Sequence, residues 1–293
     1  GVAILTTADS NYPLQLKNIQ NPPLVLYVKG TLPDTDKAVG VVGSRKSTSY
    51  GLKVAGTFAQ DLALAGLTII SGGARGVDTA AHKGALKANG KTIAVLGCGI
   101  DVIYPYENVD LFKQISKIGA IITEFPPGTE PLAKNFPARN RIISGFSQGI
   151  LVVEAARKSG AMITAEFAID EGREVYCIPG SIFSPTSVGT HSLIKQGAKL
   201  VQRPEDILED FHLLLQKQPK EKCDMPDLFS GMSEDCEIVT NKILTVLNFN
   251  EAKTLEEIVT ASGLPLNVIS SVLLNLQVNG YVAEQIGKRY IRL

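Results

Sequence analysis

The chain is poor in the residues that most chemistry needs. It has three histidines and four cysteines in 293 residues. His82 and His212 lie in helical patterns and His191 has no nucleophile and acid beside it, so no catalytic triad can be drawn. Cys98, Cys177, Cys223 and Cys236 stand far apart and form no CxxC pair, which argues against a zinc site. Cys98 and Cys177 fall in strand-like runs and read as buried hydrophobes, and the chain as a whole reads as reduced and cytoplasmic. No apolar run reaches 18 residues and no basic, then apolar, leader opens the sequence, so no membrane association is expected. The first residue is Gly1 rather than Met, as in a processed or trimmed chain. Excess charge is also missing: 29 basic residues face 29 acidic ones. The balance is uneven, with residues 38–207 carrying 18 basic and 14 acidic residues and residues 208–293 carrying 8 and 12. That tilts any anionic ligand weakly toward the middle of the chain.

What the chain does have is rhythm. From Val39 onward, short runs rich in Val and Ile recur: "VGVVG" (39–43), "LTIIS" (67–71), "TIAVLG" (92–97), "AIITEF" (120–125), "GILVVEA" (149–155), "EVYCIP" (174–179) and "AKLVQ" (198–202). They do not alternate with polar residues, as expected of strands buried on both faces of a parallel sheet. The intervening segments are helical in pattern. In "SYGLKVAGTFAQDLALAG", Val54, Phe58 and Leu62 repeat every four residues and Gly66 closes the helix. Regular alternation of this kind predicts an α/β fold with a doubly wound, mostly parallel sheet, whose ligands sit at the carboxyl ends of the strands.

Residues 1–37 fall outside this rhythm and read as an extended lead-in. The domain at 38–215 is followed by a polar stretch with two prolines, 216–236, that reads as a linker. Residues 237–293 show three helical patterns, the second opened by a Thr254/Glu257 capping box, and then a hairpin around Gly287-Lys288. Three helices and a hairpin make a small winged-helix-like domain.

Nearly every strand ends in a glycine-containing loop. "GVVGSRKSTSYG" is neither a P-loop nor GxGxxG, yet Gly43 permits a sharp turn and Ser44 can offer its hydroxyl and amide to an anion. Arg45 supplies either a planar grip on phosphate or an ordinary surface charge. "SGGARGVD", with Gly72 and Gly73, and "ARKSGAMITAE", with Ser159 and Gly160, are further candidate phosphate loops. With "LGCGIDVIYP" and "IPGSIFSPTSVGT" they make five; each is weak alone, and five on one sheet edge suit a long anion, although any Rossmann-like enzyme would also show several. The stretch "PLAKNFPARNRIISG" (131–145) adds Lys134, Arg139 and Arg141 with no acid among them, around Phe136, Asn135 and Asn140. Cations with a ring suit single-stranded nucleic acid, whose bases stack while its backbone is neutralised. The competing reading makes Phe136 and Pro137 anchors of a loop on the core, pairs Arg139 and Arg141 with acids such as Glu124 or Glu154, and makes "RNRIISG" a helix start.

Taken together, "GVVGSRKSTSYG", "SGGARGVDTAAHKGAL", "LGCGIDVIYPYEN", "NFPARNRIISG", "SGAMITAEFAIDEGREVYCIPG" and "GTHSLIKQGA" resemble the DprA/Smf family of bacterial DNA-processing proteins, from about residue 12 to residue 210. The resemblance implies an extended Rossmann-like core that binds single-stranded DNA and delivers it to the RecA recombinase during natural transformation, and it implies a homodimer. Carried over by motif, the DNA contacts would be Gly43, Ser44 and Arg45 together with Lys134, Asn135, Phe136, Arg139, Asn140 and Arg141. The dimer contact would include His191 and Ile194. Many members carry an N-terminal helical domain ahead of the segment matching "YPLQLKNIQNPPLVLYVKG"; its absence fits a trimmed chain. The resemblance brings no metal, cofactor or catalytic residue.

Two other readings compete. Related Rossmann-like enzymes hydrolyse nucleoside monophosphates with a PGGxGTxxE motif. Here the corresponding stretch is "SGAMITAE", which keeps a glutamate, Glu166, but lacks the paired glycines and the GT. The second is duplex binding by the C-terminal domain. Its candidate recognition helix, 265–279, contains no Lys or Arg, so this domain is expected to bind protein or to pack on its own core.

Overall fold

The computed structural model describes residues 1–212, 234–248, 252–278, 280–285 and 287–292. The expected linker lies almost wholly outside these, as does Cys223. The chain divides into two units, Gly1–Gln216 and Lys217–Leu293.

The larger unit opens with β1 (Val2–Thr6), α1 (Leu14–Lys17), β2 (Val25–Gly30) and β3 (Ala38–Val42). It continues with α2 (Ser49–Leu64), β4 (Thr68–Ser71), α3 (Val77–Lys87), β5 (Thr92–Val95), α4 (Val109–Ile118) and β6 (Ala120–Thr123). After these come α5 (Asn135–Phe146), β7 (Gly149–Val152), α6 (Gly160–Asp170) and β8 (Glu174–Cys177). The unit closes with α7 (Val188–Lys195), β9 (Lys199–Leu200) and α8 (Glu205–Leu208). All seven apolar runs read from the sequence are strands. They form one nine-stranded sheet in the order β1-β2-β6-β5-β4-β3-β7-β8-β9, parallel from β6 to β9.

The lead-in is extended, but it also belongs to the sheet. β2 pairs antiparallel with β6, and β1 pairs antiparallel with β2. Its connection is anchored as well: Tyr12, Leu16 and Ile19 are buried against Ile142 and Phe146 of α5 in one core cluster. The alternation that places β2 is short, which is why it reads from sequence only as an extended segment.

Side chains alternate across the sheet and feed two cores. Ala38 and Val42 of β3 face Ile142, Ile143, Ala161 and Ala165 from α5 and α6. Val39 and Val41 face Ala55, Phe58 and Leu62 of α2 and Ala81 and Ala85 of α3. Each fully buried Val, Leu or Phe contributes roughly 1.5–3 kcal/mol of transfer free energy. Cys98 and Cys177 are buried free thiols, and burial pushes Cys177 up to about 12.

The smaller unit contains α9 (Glu234–Val246), β10 (Lys253–Thr254), α10 (Leu255–Ser262), α11 (Leu266–Val278), β11 (Val282–Gln285) and β12 (Arg289–Arg292). Its three strands are antiparallel in the order β10-β12-β11. Ile243, Leu247, Ile258, Ile269, Leu273 and Val282 form its core. The capping box closes as its spacing predicts: Glu257 N–H donates to Thr254 Oγ1 at 3.3 Å, and Thr254 N–H donates to Glu257 Oε2 at 2.8 Å. No single helix among the described residues is long and apolar enough to cross a membrane.

Candidate functional site

The strand order reverses between β3 and β7, which are sheet neighbours although β4, β5 and β6 lie between them in sequence. The helices that follow them diverge to opposite faces, leaving a crevice at the carboxyl edge, where ligands of such sheets bind. Here it is a cleft of about 650 Å³. Its walls are the loop after β3, the start of α5 and the start of α6.

The first wall is a braced loop. Ser44 Oγ accepts from Lys46 N–H at 3.1 Å, and Ser44 O accepts from Ser47 Oγ at 2.6 Å and from Val77 N–H at 3.3 Å. A Cβ on Gly43 would meet Val77 Cγ2 at 2.6 Å, so the close approach to α3 requires glycine. Thr48 then caps α2, its Oγ1 accepting from Gly51 N–H at 3.1 Å. The bracing leaves Arg45 and Lys46 exposed at the cleft, and neither makes an ion pair among the described residues. The Arg45 guanidinium lies 4.8 Å above the centroid of the Phe136 ring, within cation–π range.

The second wall is a helix, begun four residues earlier than the competing reading places it. α5 begins at Asn135, and Pro137 is accommodated in its first turn, where no intrahelical N–H is lost. Helical spacing turns Phe136, Arg139, Asn140 and Ile143 toward the cleft and sends Arg141 elsewhere. The Phe136 ring is half-buried, with Tyr104 at 5.7 Å between centroids, Arg139 6.0 Å from its own and Gly97 beneath it.

Arg139 is 3% exposed. Its Nη1 donates to Gly72 O at 2.6 Å and to Val95 O, and its Nε donates to Asn140 Oδ1 at 3.3 Å. Across Gly72 it faces Asp78: a Cβ there would sit 2.5 Å from Arg139 Nη2 and 2.6 Å from Asp78 Oδ2. Burial dominates both groups. It pulls Arg139 down to about 10 and holds the Asp78 carboxyl above its ordinary value, partly offset by the neighbouring guanidinium.

Arg141 pairs with Glu124 through two bonds of 2.6 and 2.5 Å, as the competing reading anticipated. Asn135 and Asn140 are buried and donate to Glu130 O at 3.3 Å and Gly160 O at 3.0 Å. Of the cations in this stretch, Lys134 alone is exposed and without an ion pair among the described residues.

The third wall is the first turn of α6. Ser159 is its N-cap, and its Oγ is shielded from solvent with no partner among the described residues. Gly160 and Ala161 follow it on the cleft, where free N–H groups and the helix dipole favour an anion. Gly72 and Gly73, also read as a phosphate loop, are buried and do not line the cleft. That loop spends its carbonyls internally, on Arg139 and on Asn108 Nδ2 at 3.0 Å.

Glu154, 4% exposed, ties the loops together. It accepts from Thr48 N–H at 3.0 Å, Thr48 Oγ1 at 2.6 Å and Thr186 Oγ1 at 3.3 Å. The sequence offered it as a partner for arginine; its position after "GILVV" marks it as an acid at a strand's carboxyl end, which was the available signal. Lys46 and Tyr104 also went unselected, though "GSRKS" and "DVIYP" display both. His191 and Ile194 lie half-buried on α7; His191 Nε2 accepts from Gly180 N–H at 3.4 Å, and Ile194 packs on the core. Glu166 is on the exposed face of α6, outside the cleft.

Residues 3–212 match the family model of DNA recombination-mediator protein A. The chain is 42% identical to Protein Smf of Escherichia coli over 294 residues, covering 99% of this chain and 77% of that one. It is 47% identical to DNA processing protein DprA of Streptococcus pneumoniae over 205 residues, 69% of this chain and 72% of that one. The crystal structure of the S. pneumoniae protein superposes with a TM-score of 0.68 at 44% identity, covering 71% and 74% of the two chains. DNA processing protein A from Helicobacter pylori, solved for its single-stranded DNA binding mode, gives a TM-score of 0.65 at 29% identity over 72% and 95%. With the family model spanning most of the chain and these relatives alike in sequence and fold, the protein belongs to the DprA/Smf family of DNA-processing proteins.

Proposed function

We propose that this chain binds single-stranded DNA along the cleft and delivers it to a RecA-type recombinase, acting as a homodimer in the cytoplasm. The observation that carries the binding step is Arg45. Its guanidinium makes no ion pair among the described residues, sits at the strand-order reversal and lies over the Phe136 ring. A guanidinium plane can stack on a base while its edge binds phosphate. Lys46, Lys134 and the α6 N-terminus then take neighbouring phosphates. Arg139, Asn140 and Phe136 position the platform from beneath, and Arg141 fixes α5 through Glu124. The family and the H. pylori relative's DNA binding support this reading. Hydrolysis of nucleotides is disfavoured: Glu166 lies outside the cleft, and Asp78 is buried against Arg139. The dimer contact through His191 and Ile194, and the smaller unit as a winged-helix-like module for protein contacts, belong to the same proposal.

The test is fluorescence anisotropy with an oligothymidylate across a salt series. Arg45→Ala should weaken binding about tenfold, the equivalent of one charge-assisted contact, and flatten the salt slope by about 0.7. Arg45→Lys should restore the slope but not the affinity, because it keeps the charge and loses the plane. Wild-type binding by Arg45→Ala at every salt concentration would refute the reading.

A further inference from the structure

Two adjacent side chains in the loop after β8 are the most exposed large apolar groups among the described residues: Ile182 at 79% and Phe183 at 90%. The loop that presents them is tightly held. Phe183 N–H donates to Ser181 Oγ at 3.3 Å and Ser184 N–H to Ser181 O at 3.0 Å, forming a turn. On one side Tyr50 Oη donates to Pro179 O at 2.9 Å; on the other Ala155 N–H donates to Thr186 O at 2.7 Å. A ring presented to water on a backbone held this firmly contributes nothing to the core, and less of the loop remains to be ordered on contact.

The segment joining this loop to the cleft is cationic. Ala155 is bonded to the β8 loop, while Ala156 and Ser159 line the cleft. Between them stand Arg157 and Lys158, both exposed and free of ion pairs among the described residues. No acid occurs from Ala155 to Ala165 or from Val175 to Pro204. Cleft, unopposed cations and exposed ring therefore follow one another along the carboxyl edge of β3, β7 and β8.

We infer that the strand bound in the cleft continues outward over the loop after β7, where Arg157 and Lys158 hold its phosphates and Phe183 stacks an outer base. This rests on the single-strand reading of the cleft. It adds a second binding segment that short ligands never reach. Cations that track the backbone beside a ring that takes a base of any identity are the pattern of sequence-tolerant single-strand binding.

Oligothymidylates of about 6 and about 15 nucleotides separate the two segments, since single-strand sites span roughly 4–16 nucleotides. The probe is anisotropy on the full chain. For Arg157→Ala/Lys158→Ala and for Phe183→Ala, binding of the short strand should stay within about twofold of wild type. Binding of the long strand should fall at least about fivefold, as expected for one stacked base or two phosphate contacts. The double variant should also lower the long-strand salt slope by about 1.4. Unchanged long-strand binding, equal losses at both lengths, or a change only in oligomeric state by light scattering would each overturn the inference; the last would assign Phe183 to protein contact. Failure of the cleft itself looks different, because Arg45→Ala would then leave both lengths at wild-type affinity.

Discussion

Replacing Arg139 with Met should damage the fold far more than it changes the character of DNA binding. The guanidinium satisfies Gly72 O, Val95 O and Asn140 Oδ1 and is the main positive charge facing buried Asp78. Met fills most of the volume but leaves the carboxylate uncompensated and two carbonyls without their donor. Breaking a buried charge arrangement from one side costs about 3–5 kcal/mol, whereas removing both charges costs much less. Arg139→Met/Asp78→Asn, which keeps an acceptor for Ala74 N–H (3.2 Å in the wild type), should therefore recover about 2 kcal/mol of the loss. Acid provides a second signature. Asp78 is raised above its ordinary value by burial, and losing Arg139 raises it further. A carboxyl raised in the folded state stabilises most when protonated, below its unfolded value of about 4, and that contribution disappears as pH rises. The deficit of Arg139→Met should thus be greatest at neutral pH and shrink toward pH 4. Urea unfolding followed by circular dichroism measures all three quantities; the chain has no tryptophan to serve as a probe. A loss below about 1 kcal/mol at pH 7, or one that grows in acid, would refute the assignment of Arg139 to the interior. The salt slope of DNA binding should be unchanged in this variant, which distinguishes a positioning arginine from a phosphate contact.

His82 carries another pH signature. The Thr92 hydroxyl donates to Ile69 O at 2.7 Å, so His82 Nδ1–H donates to Thr92 at 2.7 Å, and buried Nε2 has no partner among the described residues. Burial, reinforced by Arg139, pulls the imidazole down to about 3. Its contribution is complete above the unfolded value of about 6.5 and is lost as pH falls toward 3, by up to about 1.4 kcal/mol per unit; His82→Asn, which keeps the donor, should flatten that part of the stability profile. Glu154→Ala should destabilise the larger unit by about 2–4 kcal/mol and weaken DNA binding without altering its salt slope, since it frees the Arg45 loop and removes no phosphate contact; thermal melts and a salt series test both. Deleting residues 216–293 should leave single-strand affinity within about threefold, because α11 contains no Lys or Arg; a much larger loss in titration would give the smaller unit a DNA role.

Periodicity carried the fold well and the site less well. Strands buried on both faces leave unbroken Val/Ile runs, so the parallel strands were legible down to short edge β9. β1 and β2 were harder because the double proline before Val25 and the scant alternation around it hide a pairing partner that lies over 90 residues away, in β6. At the site, counting charges in "AKNFPARNR" could not tell where each side chain goes. Once Asn135–Phe146 is a helix, residues 136, 139, 140 and 143 share a face, and Arg141 must point elsewhere. The competing reading starts that helix at Arg139, and Pro137 in its first turn concealed the earlier start at Asn135. Arg45 was legible because a charged residue just after a buried strand has only the carboxyl edge to occupy, and Glu154 would have yielded to the same argument.

The bond from Thr48 to Glu154 joins residues 106 positions apart, and β3 pairs with β7 over a similar span. The cleft therefore cannot be completed by the first half of the chain. The loop after β3 emerges early in synthesis, but the α6 wall and Glu154 must wait for four further strands and for a large loop to close, with the entropy that closure costs. A nascent or truncated chain ending before α5 would display Arg45 with nothing opposite it, and one ending before β7 would still lack the α6 wall and Glu154. On the proposed reading of the cleft, capacity to grip a strand of DNA is thereby tied to completion of the sheet, so that binding would serve as a report that folding has finished.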